Sequence, residues 1–508
     1  RGYPTDDAEI VGWSRNCETD TRIHYVYQDT SGNYRYLDDT ATLPDDIAET
    51  TTIEGETVPF LVRWEVGTIN RFIHSIAMLV PFESIEDDSP DTEPDTSLWN
   101  DRAVLQFQGG VGIGNFQGTV STGTMLESEL VGQGYAILWS TGTRTSTHYN
   151  LQVGGETAIM LKDHFVDTYG EPLYTVSVGG SGGGIQQYVY GQNHPGLIDA
   201  AVPQYSYPDM VTQTIHIGDC ELLEHYFEAT DRDNDRWSDP AMRQAVLGLN
   251  VTAPANQSDT DMEQWELLYT AFDLLGYQTM ERSEDGAPTL SECRPGWLGA
   301  TPTVLNPTFH TIDDVEQLAQ PLDEVEWSHM ADLANIYGID PDTGFARRGW
   351  DNVGVQYGLE AVADGTIDPD EFLDLNAQVG GWVTSEEMQV EGFPFEGDLD
   401  LDNFDLWSAR NMNLSPDGGE TPAPRTRADV DAIEALYENG IVFEGDIDIP
   451  IIDWRHDLEH ELDMHHVHQS FASRQRMLNH DGDADNQVIW FTEAQPAADH
   501  DQTYEAFE

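Results

Sequence analysis

The chain has 508 residues, of which 93 are acidic and 22 are lysine or arginine, so its formal net charge is −71. A disordered acidic chain is excluded, because 39% of the residues are hydrophobic and 10% are aromatic, enough to bury a sizeable core. The acidic side chains must therefore coat a folded body. The lack of lysine and arginine clusters in the sequence argues against nucleic acid as a partner.

This acidic coat predicts adaptation to high salt. Like charges at such density repel one another at ordinary ionic strength, whereas in molar salt the screening length falls to about 3 Å. The acid is spread from end to end rather than concentrated in one block, and Lys162 is the sole lysine. We therefore expect a halophilic protein rather than an acidic domain that binds one basic partner.

Hydropathy and cysteine usage limit two further classes of protein. The sequence contains no run of about 18 apolar residues, so it predicts no membrane span. Cys17, Cys220 and Cys293 are too few for a disulfide scaffold and lack the CxxC spacing of metal sites. One disulfide with a free thiol and three reduced thiols are both compatible with these positions. Nothing in the sequence indicates the oligomeric state.

The first part of the chain predicts a sheet. Residues 60–81 form an apolar stretch, interrupted by Arg63, Glu65 and Arg71, that predicts opening strands before an acidic, proline-rich loop at 86–94. Short β-branched runs then alternate with segments of helical spacing. The predicted strands are 103–107, 135–140, 174–178 and 198–202, and the predicted helices are 156–169 and 184–191. This alternation predicts a largely parallel sheet with helices on both faces.

The rest of the chain divides into two parts. Residues 207–428 show helical segments between acidic loops, without strand alternation. A strand at 449–454, a helix at 466–478 and a strand at 487–492 then restore the α/β pattern. We expect residues 1–206 and 429–508 to complete one core, and residues 207–428 to form a mainly helical lid or substrate domain over the carboxyl ends of the strands.

The strongest chemical signal is a serine between glycines. An apolar strand ending at Val178 runs into Gly179-Gly180-Ser181-Gly182-Gly183 and then into a helix, which satisfies the G-x-S-x-G pattern in its required context. The serine of this motif occupies a sharp, strained turn, which only small neighbours permit. A phosphate-binding loop is the alternative, but no Lys-Ser/Thr pair follows. The motif predicts an α/β-hydrolase fold with Ser181 as nucleophile.

A second glycine-rich segment follows the predicted strand 103–107. In this fold the corresponding loop and the residue after the nucleophile each offer a backbone N–H to the oxyanion. Gly110 or Val111, together with Gly182, would form that pair. The alternative is a plain flexible loop. The position of this segment, one strand–helix–strand unit before Ser181, favours the oxyanion hole instead.

The base and the acid should follow Ser181 in the order acid, then histidine. Topology places the acid after the strand 449–454, at Asp457 or Asp463, and the histidine after the last strand, where His500 is the sole candidate. His465, at a helix start, is the alternative base. Residues two apart rarely aim their side chains at each other, so the acid for His465 stays open among Asp463, Asp457 and Asp209. We favour His465 slightly, because His500 lies in an acidic tail that is typical of solvated surface.

Two acidic segments resemble parts of calcium loops. Residues 231–235 lack the turn glycine. When the segment 364–371 is aligned to an EF-hand on Gly365, Val362 falls where an oxygen ligand is needed. The second segment predicts a turn between helices, and calcium binding stays open.

Several motifs carry a family resemblance. They are Trp13-Ser-Arg-Asn-Cys17, Gly179 to Tyr188, Pro203 to Met210, Asp219-Cys220, Cys293-Arg-Pro-Gly-Trp297, Asp351 to Gly358, and Asp463-Met-His465. The chain resembles, over nearly its whole length, a family of secreted α/β hydrolases of unassigned function, which is more distantly similar to tannases, feruloyl esterases and polyester depolymerases. Tannase-like enzymes place a cysteine beside the serine, where this chain has Gly180 and Gly182.

The resemblance implies serine-hydrolase chemistry, secretion, and a site that includes Asp463 and His465. It also implies that Cys220 and Cys293 form a disulfide while Cys17 is free. We therefore expect a secreted esterase that cleaves a small or polymeric carboxylic ester and needs neither a metal ion nor an organic cofactor. A catalytically retired fold that serves as a binding or surface-structural protein is the alternative.

Overall fold

The structure is a computed structural model. It describes residues 15–37, 40–85, 93–119, 126–252, 259–284, 286–294, 297–310, 327–397 and 400–492. His500 and part of the acidic loop at 86–94 lie outside these ranges, so predictions that involve them stay predictions.

In the described residues, ten strands form one sheet in the order β16-β15-β10-β9-β7-β8-β6-β5-β1-β2. Their bounds are β1 Arg22–Gln28, β2 Tyr34–Tyr36, β5 Leu61–Ile69, β6 Phe72–Leu79, β7 Arg102–Gln108, β8 Ala136–Arg144, β9 Tyr174–Gly180, β10 Ala200–Gln204, β15 Ile451–His456 and β16 Gln487–Thr492. The pairings from β16 to β8 are parallel, and those from β8 to β2 are antiparallel. Six further strands form two-stranded sheets: β3 Glu49–Thr51, β4 Thr57–Pro59, β11 Val251–Thr252, β12 Leu290–Ser291, β13 Gly381–Trp382 and β14 Met412–Asn413.

The helices follow the predicted alternation. Their bounds are α1 Ser128–Gly132, α2 Leu151–Tyr169, α3 Gly182–Asn193, α4 Met210–His225, α5 Pro240–Leu247, α6 Asp259–Leu275, α7 Ala300–Leu305, α8 His329–Asp332, α9 Ala334–Tyr337, α10 Leu359–Asp364, α11 Pro369–Gln378, α12 Val430–Glu438 and α13 His468–Asp481. None of the helices in the described part of the chain is long and apolar enough to cross a membrane.

Successive residues of a strand point to opposite faces of the sheet. In the central strands, both sets of side chains are buried. Leu105 and Leu138 face a core that contains residues of α2 and α3, while Val104 and Ile137 face a second core with residues of α1. The parallel part covered on both faces and the serine turn between β9 and α3 define an α/β-hydrolase fold, as the sequence predicts.

The chain reverses direction across the sheet at β7. It passes from β7 to β8 on one side and then to β9 on the other, so the carboxyl ends of β7 and β9 flank a topological switch point, where α/β proteins bind ligands. The glycine-rich loop that follows Gln108 and the turn at Ser181 therefore meet at this edge.

In the described residues of the segment 207–428, the regular secondary structure is mainly helical but includes strands. The pairs β11–β12 and β13–β14 lie within it, and each strand has two residues, too few to show alternation in sequence. Cys220 and Cys293 form a disulfide here, and Cys17 is free and exposed, so the pairing implied by the resemblance is confirmed. The turn predicted at 364–371 is also confirmed: Gly365 ends α10, and Asp368 caps α11 with Glu371.

Candidate active site

Ser181 lies on a sharp turn between β9 and α3. Its backbone has φ 56° and ψ −120°, in a region that non-glycine residues seldom occupy and that costs about 1–3 kcal/mol. The Ser181 N–H donates to the carbonyl of Gln204 at 2.9 Å, which ties the turn to the end of β10. The flanking glycines allow the turn to pack, because a Cβ on Gly179 would lie 2.6 Å from the Phe107 carbonyl oxygen and one on Gly183 3.0 Å from the Gln108 nitrogen.

The glycine-rich loop after β7 lies directly against this turn. A Cβ on Gly109 would come within 2.8 Å of the Ser181 Cβ. Gly110 adopts φ 107°, and its carbonyl accepts a hydrogen bond from Thr145 Oγ1 at 2.6 Å. The loop is thus held in place by the end of β8.

Three amide groups remain available in this region. The amides of Gly112 and Gly114 donate to carbonyls of the loop after β8 at 2.7 and 3.1 Å. Among the hydrogen bonds of the described residues, the amides of Gly110, Val111 and Gly182 have no acceptor. These are the three groups that the sequence predicts for an oxyanion hole, and two of them lie on the loop while the third begins α3.

Asp463 and His465 form a pair in the loop after β15. One oxygen of Asp463, Oδ1, accepts from the His465 backbone N–H at 2.8 Å and lies 2.7 Å from its ring Nδ1. The expectation that side chains two residues apart would not meet is wrong here, because the backbone bond folds the chain into an Asx-type turn, which follows left-handed Leu462 at φ 63°. The His465 Nε2 is buried and without a hydrogen-bond partner in the described residues.

Burial and the carboxylate act in opposite directions on His465. Burial dominates and lowers the pKa of its imidazole, although the hydrogen bond and the charge of Asp463 raise it. Burial alone would raise the pKa of Asp463, but hydrogen bonds from His456 and His465 hold it well below its ordinary value. The carboxylate is therefore ionised and the imidazole neutral at neutral pH.

Tyr205 connects the histidine to the serine turn. Its ring packs against the backbone of Gly180, which leaves no room for a Cβ there, and lies edge-on to the His465 ring with centroids 5.0 Å apart. The Tyr205 N–H donates to the Trp454 carbonyl at 2.8 Å. The turn that carries Ser181 and the loop that carries His465 thus both contact the Tyr205 ring.

Two residues that the sequence did not single out support this pair. His456 is fully buried, lies with its Nε2 3.2 Å from the same Asp463 oxygen, and stacks on Tyr205. Arg455 donates from Nη1 to the His465 carbonyl at 3.1 Å and from Nε to Ser470. Both lie at the end of β15. The segment that follows is so rich in charged residues that the sequence does not indicate which of them support the site.

The other acid candidates lie apart from His465. Asp457 is exposed. Asp209 is buried, but its carboxylate caps α4 by accepting from the Thr212 N–H at 2.7 Å and also binds Arg476 and the Phe443 N–H. Within the described residues, neither carboxylate pairs with a histidine.

The segment 207–428 contacts the site at two places. His329 Nδ1 lies 3.2 Å from the Gly112 carbonyl, and a Cβ on Gly114 would meet the Asp332 carboxylate. Glu292, next to the disulfide, contacts the imidazole of His466. Both the glycine loop and the loop of His465 are therefore braced by this segment.

The same cluster offers the donor types that metals use. One atom each from His456, Asp463 and His465 lie within 4.8 Å of one another. One nitrogen of each histidine already contacts Asp463 Oδ1, and the arrangement resembles an acid–base pair with a second supporting imidazole.

Comparison with known proteins identifies the family. The model of the tannase-like family of unknown function (DUF6351) matches residues 5–508. The chain therefore belongs to this family. A search of curated proteins found no match.

Solved structures of similar proteins include three fungal enzymes. Feruloyl esterase B from Aspergillus oryzae is 13% identical and has a TM-score of 0.36, with 93% of this chain and 79% of that one covered. Tannin acyl hydrolase from Aspergillus niger is 13% identical with a TM-score of 0.35, and the coverage is 91% and 80%. An esterase from Aspergillus oryzae is 12% identical with a TM-score of 0.32, and the coverage is 92% and 77%.

Proposed function

We propose that this protein is a serine hydrolase that cleaves carboxylic esters, with Ser181 as nucleophile, His465 as base and Asp463 as the carboxylate that orients it. The observation that carries the proposal is the His465 imidazole, which is held at Nδ1 by Asp463, has a buried and unpartnered Nε2, and packs against Tyr205, whose ring contacts the Gly180 backbone next to Ser181. The hydrogen bond at Nδ1 keeps the proton there, so Nε2 has a lone pair for the serine proton.

The reaction then proceeds in two stages. His465 Nε2 takes the hydroxyl proton as Ser181 Oγ bonds to the ester carbonyl carbon, and the imidazolium returns that proton to the leaving alcohol. Water attacks the resulting acyl-enzyme by the same route and releases the acid. The amides of Gly182 and of Gly110 or Val111 stabilise the oxyanion, because they have no other acceptor among the described residues.

The segment 207–428 is proposed to act as a lid or substrate domain on a core of residues 1–206 and 429–508. Its contacts through His329 with the glycine loop and through Glu292 with the loop of His465 support this division. A substrate that enters between them would meet residues of both parts.

We further propose that the protein is secreted and works in high salt. The disulfide between Cys220 and Cys293 fits an oxidising compartment. The net charge of −71 fits a solvent in which surface repulsion is screened. Dialysis from molar to low salt should unfold the protein, and an unchanged circular dichroism spectrum and Tm across that range would contradict the halophilic proposal.

A fluorophosphonate probe tests the nucleophile. The probe should label the wild type in molar salt, and peptide mapping should place the label on Ser181. Ser181→Ala should lose labelling and lower ester turnover by about 10⁴-fold or more. Ser415→Ala is the matched control, because Ser415 lies in a loop of the segment 207–428, where it bonds Asp417 and Thr421.

The same experiment decides between an enzyme and a binding protein. Unlabelled wild-type protein without activity on a panel of acyl and aromatic esters would support the retired fold. Full activity in Ser181→Ala would refute the mechanism.

A further inference from the structure

A second cluster of histidines and a carboxylate lies elsewhere on the sheet, and we name it the Glu65 cluster: Glu65 on β5, His74 on β6 and His164 on α2. In the antiparallel register His74 lies opposite Gly67, so Glu65 and His74 share a face as diagonal neighbours. Helix α2 covers that face and brings His164 to the same point. Gly67 leaves the space that the His74 ring fills, since a Cβ there would lie 2.7 Å from His74 Cε1.

Both imidazoles point the same nitrogen at the same oxygen. His74 Nε2 lies 3.2 Å and His164 Nε2 2.5 Å from Glu65 Oε1, and one donor atom from each residue lies within 4.8 Å of the others. Around a tetrahedral zinc ion with bonds of about 2.0–2.1 Å, neighbouring donor atoms are about 3.3 Å apart. The two nitrogen–oxygen distances therefore need to lengthen by less than about 1 Å to match such an ion.

The second carboxylate oxygen is held from behind. Tyr169 donates from its hydroxyl to Glu65 Oε2 at 2.7 Å, and Arg63 Nη1 lies 3.4 Å from the same atom. Ligating carboxylates in metal sites are commonly oriented by such outer hydrogen bonds. Oε1 is thereby aimed at the two imidazoles.

The Glu65 cluster opens to solvent on one side. The side chains of Glu65 and His74 are 3% and 1% exposed, whereas that of His164 is 35% exposed. A metal ion can reach the cluster at His164, and a water molecule can complete the coordination there.

The Glu65 cluster is separate from the candidate active site. In the order β9-β7-β8-β6-β5, strand β5 lies four positions from the strand that leads to Ser181. At about 4.8 Å for each step, this corresponds to about 19 Å across the sheet.

We propose that Glu65, His74 and His164 bind one divalent transition-metal ion of the zinc type, with water as the fourth ligand. The ion joins the antiparallel extension β5–β6 to α2 and stabilises the folded chain, since it binds the folded state and finds no preformed site in the unfolded one. Two imidazoles and one carboxylate match the ligand preference of Zn²⁺.

Zinc titration of the full chain, first freed of metal with a chelator and kept in molar salt, tests the proposal. The wild type should bind Zn²⁺ and gain a few degrees of Tm, whereas His164→Gln should lose at least about 100-fold in affinity and the gain in Tm. Glutamine keeps a hydrogen-bond donor for Glu65 but replaces the imidazole ligand. His194→Ala, a substitution of a histidine outside both clusters, should bind as the wild type does.

The Asp463 site is a competing location that the same titration separates. His465→Ala should retain the zinc affinity, and zinc should leave the rate of fluorophosphonate labelling unchanged. Loss of binding in His465→Ala but not in His164→Gln would place the ion at the other cluster and overturn the proposal. Wild-type protein that binds no zinc, with unchanged Tm, would equally overturn it and leave the esterase proposal untouched.

Discussion

Asp463 and Glu65 each anchor two histidines on one carboxylate oxygen, yet the two clusters present different nitrogens. At Asp463, His465 binds through Nδ1, and its buried Nε2 has no hydrogen-bond partner among the described residues. At Glu65, both histidines turn Nε2 toward the carboxylate. The proposed difference in role, a base at Asp463 and metal ligands at Glu65, therefore rests on the orientation of the imidazoles and not on their pairing with an acid alone.

The largest effect that separates the two clusters is expected at His465. His465→Ala should lower kcat/KM for an ester by about 10⁴-fold or more, because no group then accepts the serine proton. His460→Ala, a substitution of a mostly exposed neighbour, should match the wild type. The variants are compared by steady-state kinetics and by the rate of probe labelling.

His500 is the competing base, and it lies outside the described residues. Normal labelling of His465→Ala with loss of labelling in His500→Ala would show that the base comes from the loop after β16. The Asp463 cluster would then have no catalytic role, and the comparison of the two clusters would be one of structure only.

Asp463→Asn should lower kcat by about 10³-fold. The asparagine no longer fixes the His465 proton on Nδ1, so the tautomer with a lone pair on Nε2 loses its preference. Asp457→Asn is the control, since Asp457 is exposed and pairs with no histidine in the described structure. A larger loss in Asp457→Asn than in Asp463→Asn, measured with one ester at saturation, would reassign the acid.

Glu65→Gln should show its effect in stability. Arg63, with a side chain 4% exposed, would lose its buried counter-charge, and the free energy of unfolding should fall by about 3 kcal/mol. Asp463 is 26% exposed, so Asp463→Asn should cost clearly less. Denaturant unfolding in molar salt measures both, and equal losses would remove this distinction between the clusters.

The smallest effect is a pH dependence. A base must be neutral, so kcat/KM should fall as the pH decreases through the pKa of His465 in the free enzyme. Burial lowers that pKa from its ordinary value of 6.5, which places the inflection below pH 6.5. Asp463→Asn removes a group that raises the pKa, so its inflection should move lower still. An inflection above pH 7 for a neutral ester would show that another group is titrated.

The sequence predicts the serine half of the candidate site better than the histidine half. The serine motif is a local pattern, formed by Gly179, Ser181 and Gly183. Its small residues are needed because strand, turn and helix approach one another closely. The pairing of Asp463 with His465 depends instead on a backbone turn that follows Leu462. Leu462 adopts a left-handed φ of 63°, a conformation that a leucine in the sequence does not predict.

Long-range clusters are harder still to predict. The Arg63 and Glu65 charges are visible as interruptions of an apolar strand, but their partner His164 follows 99 residues after Glu65, on a helix. The parallel strands of the main sheet are predicted because burial on both faces gives continuous apolar runs, whereas β1 and β2 at the antiparallel edge are not predicted. The two-residue strands of the segment 207–428 carry no such run.

The position of β15 beside β10 has a consequence for the order of folding. The Tyr188 hydroxyl on α3 donates to the Asp453 carboxylate on β15, which lies 265 residues later in the chain. Tyr188 is synthesised together with the turn that carries Ser181. Contacts so distant in sequence form late, because the intervening chain must first be brought together. If the proposed assignment holds, the nascent polypeptide contains Ser181 long before His465, and it should show no esterase activity until synthesis is almost finished.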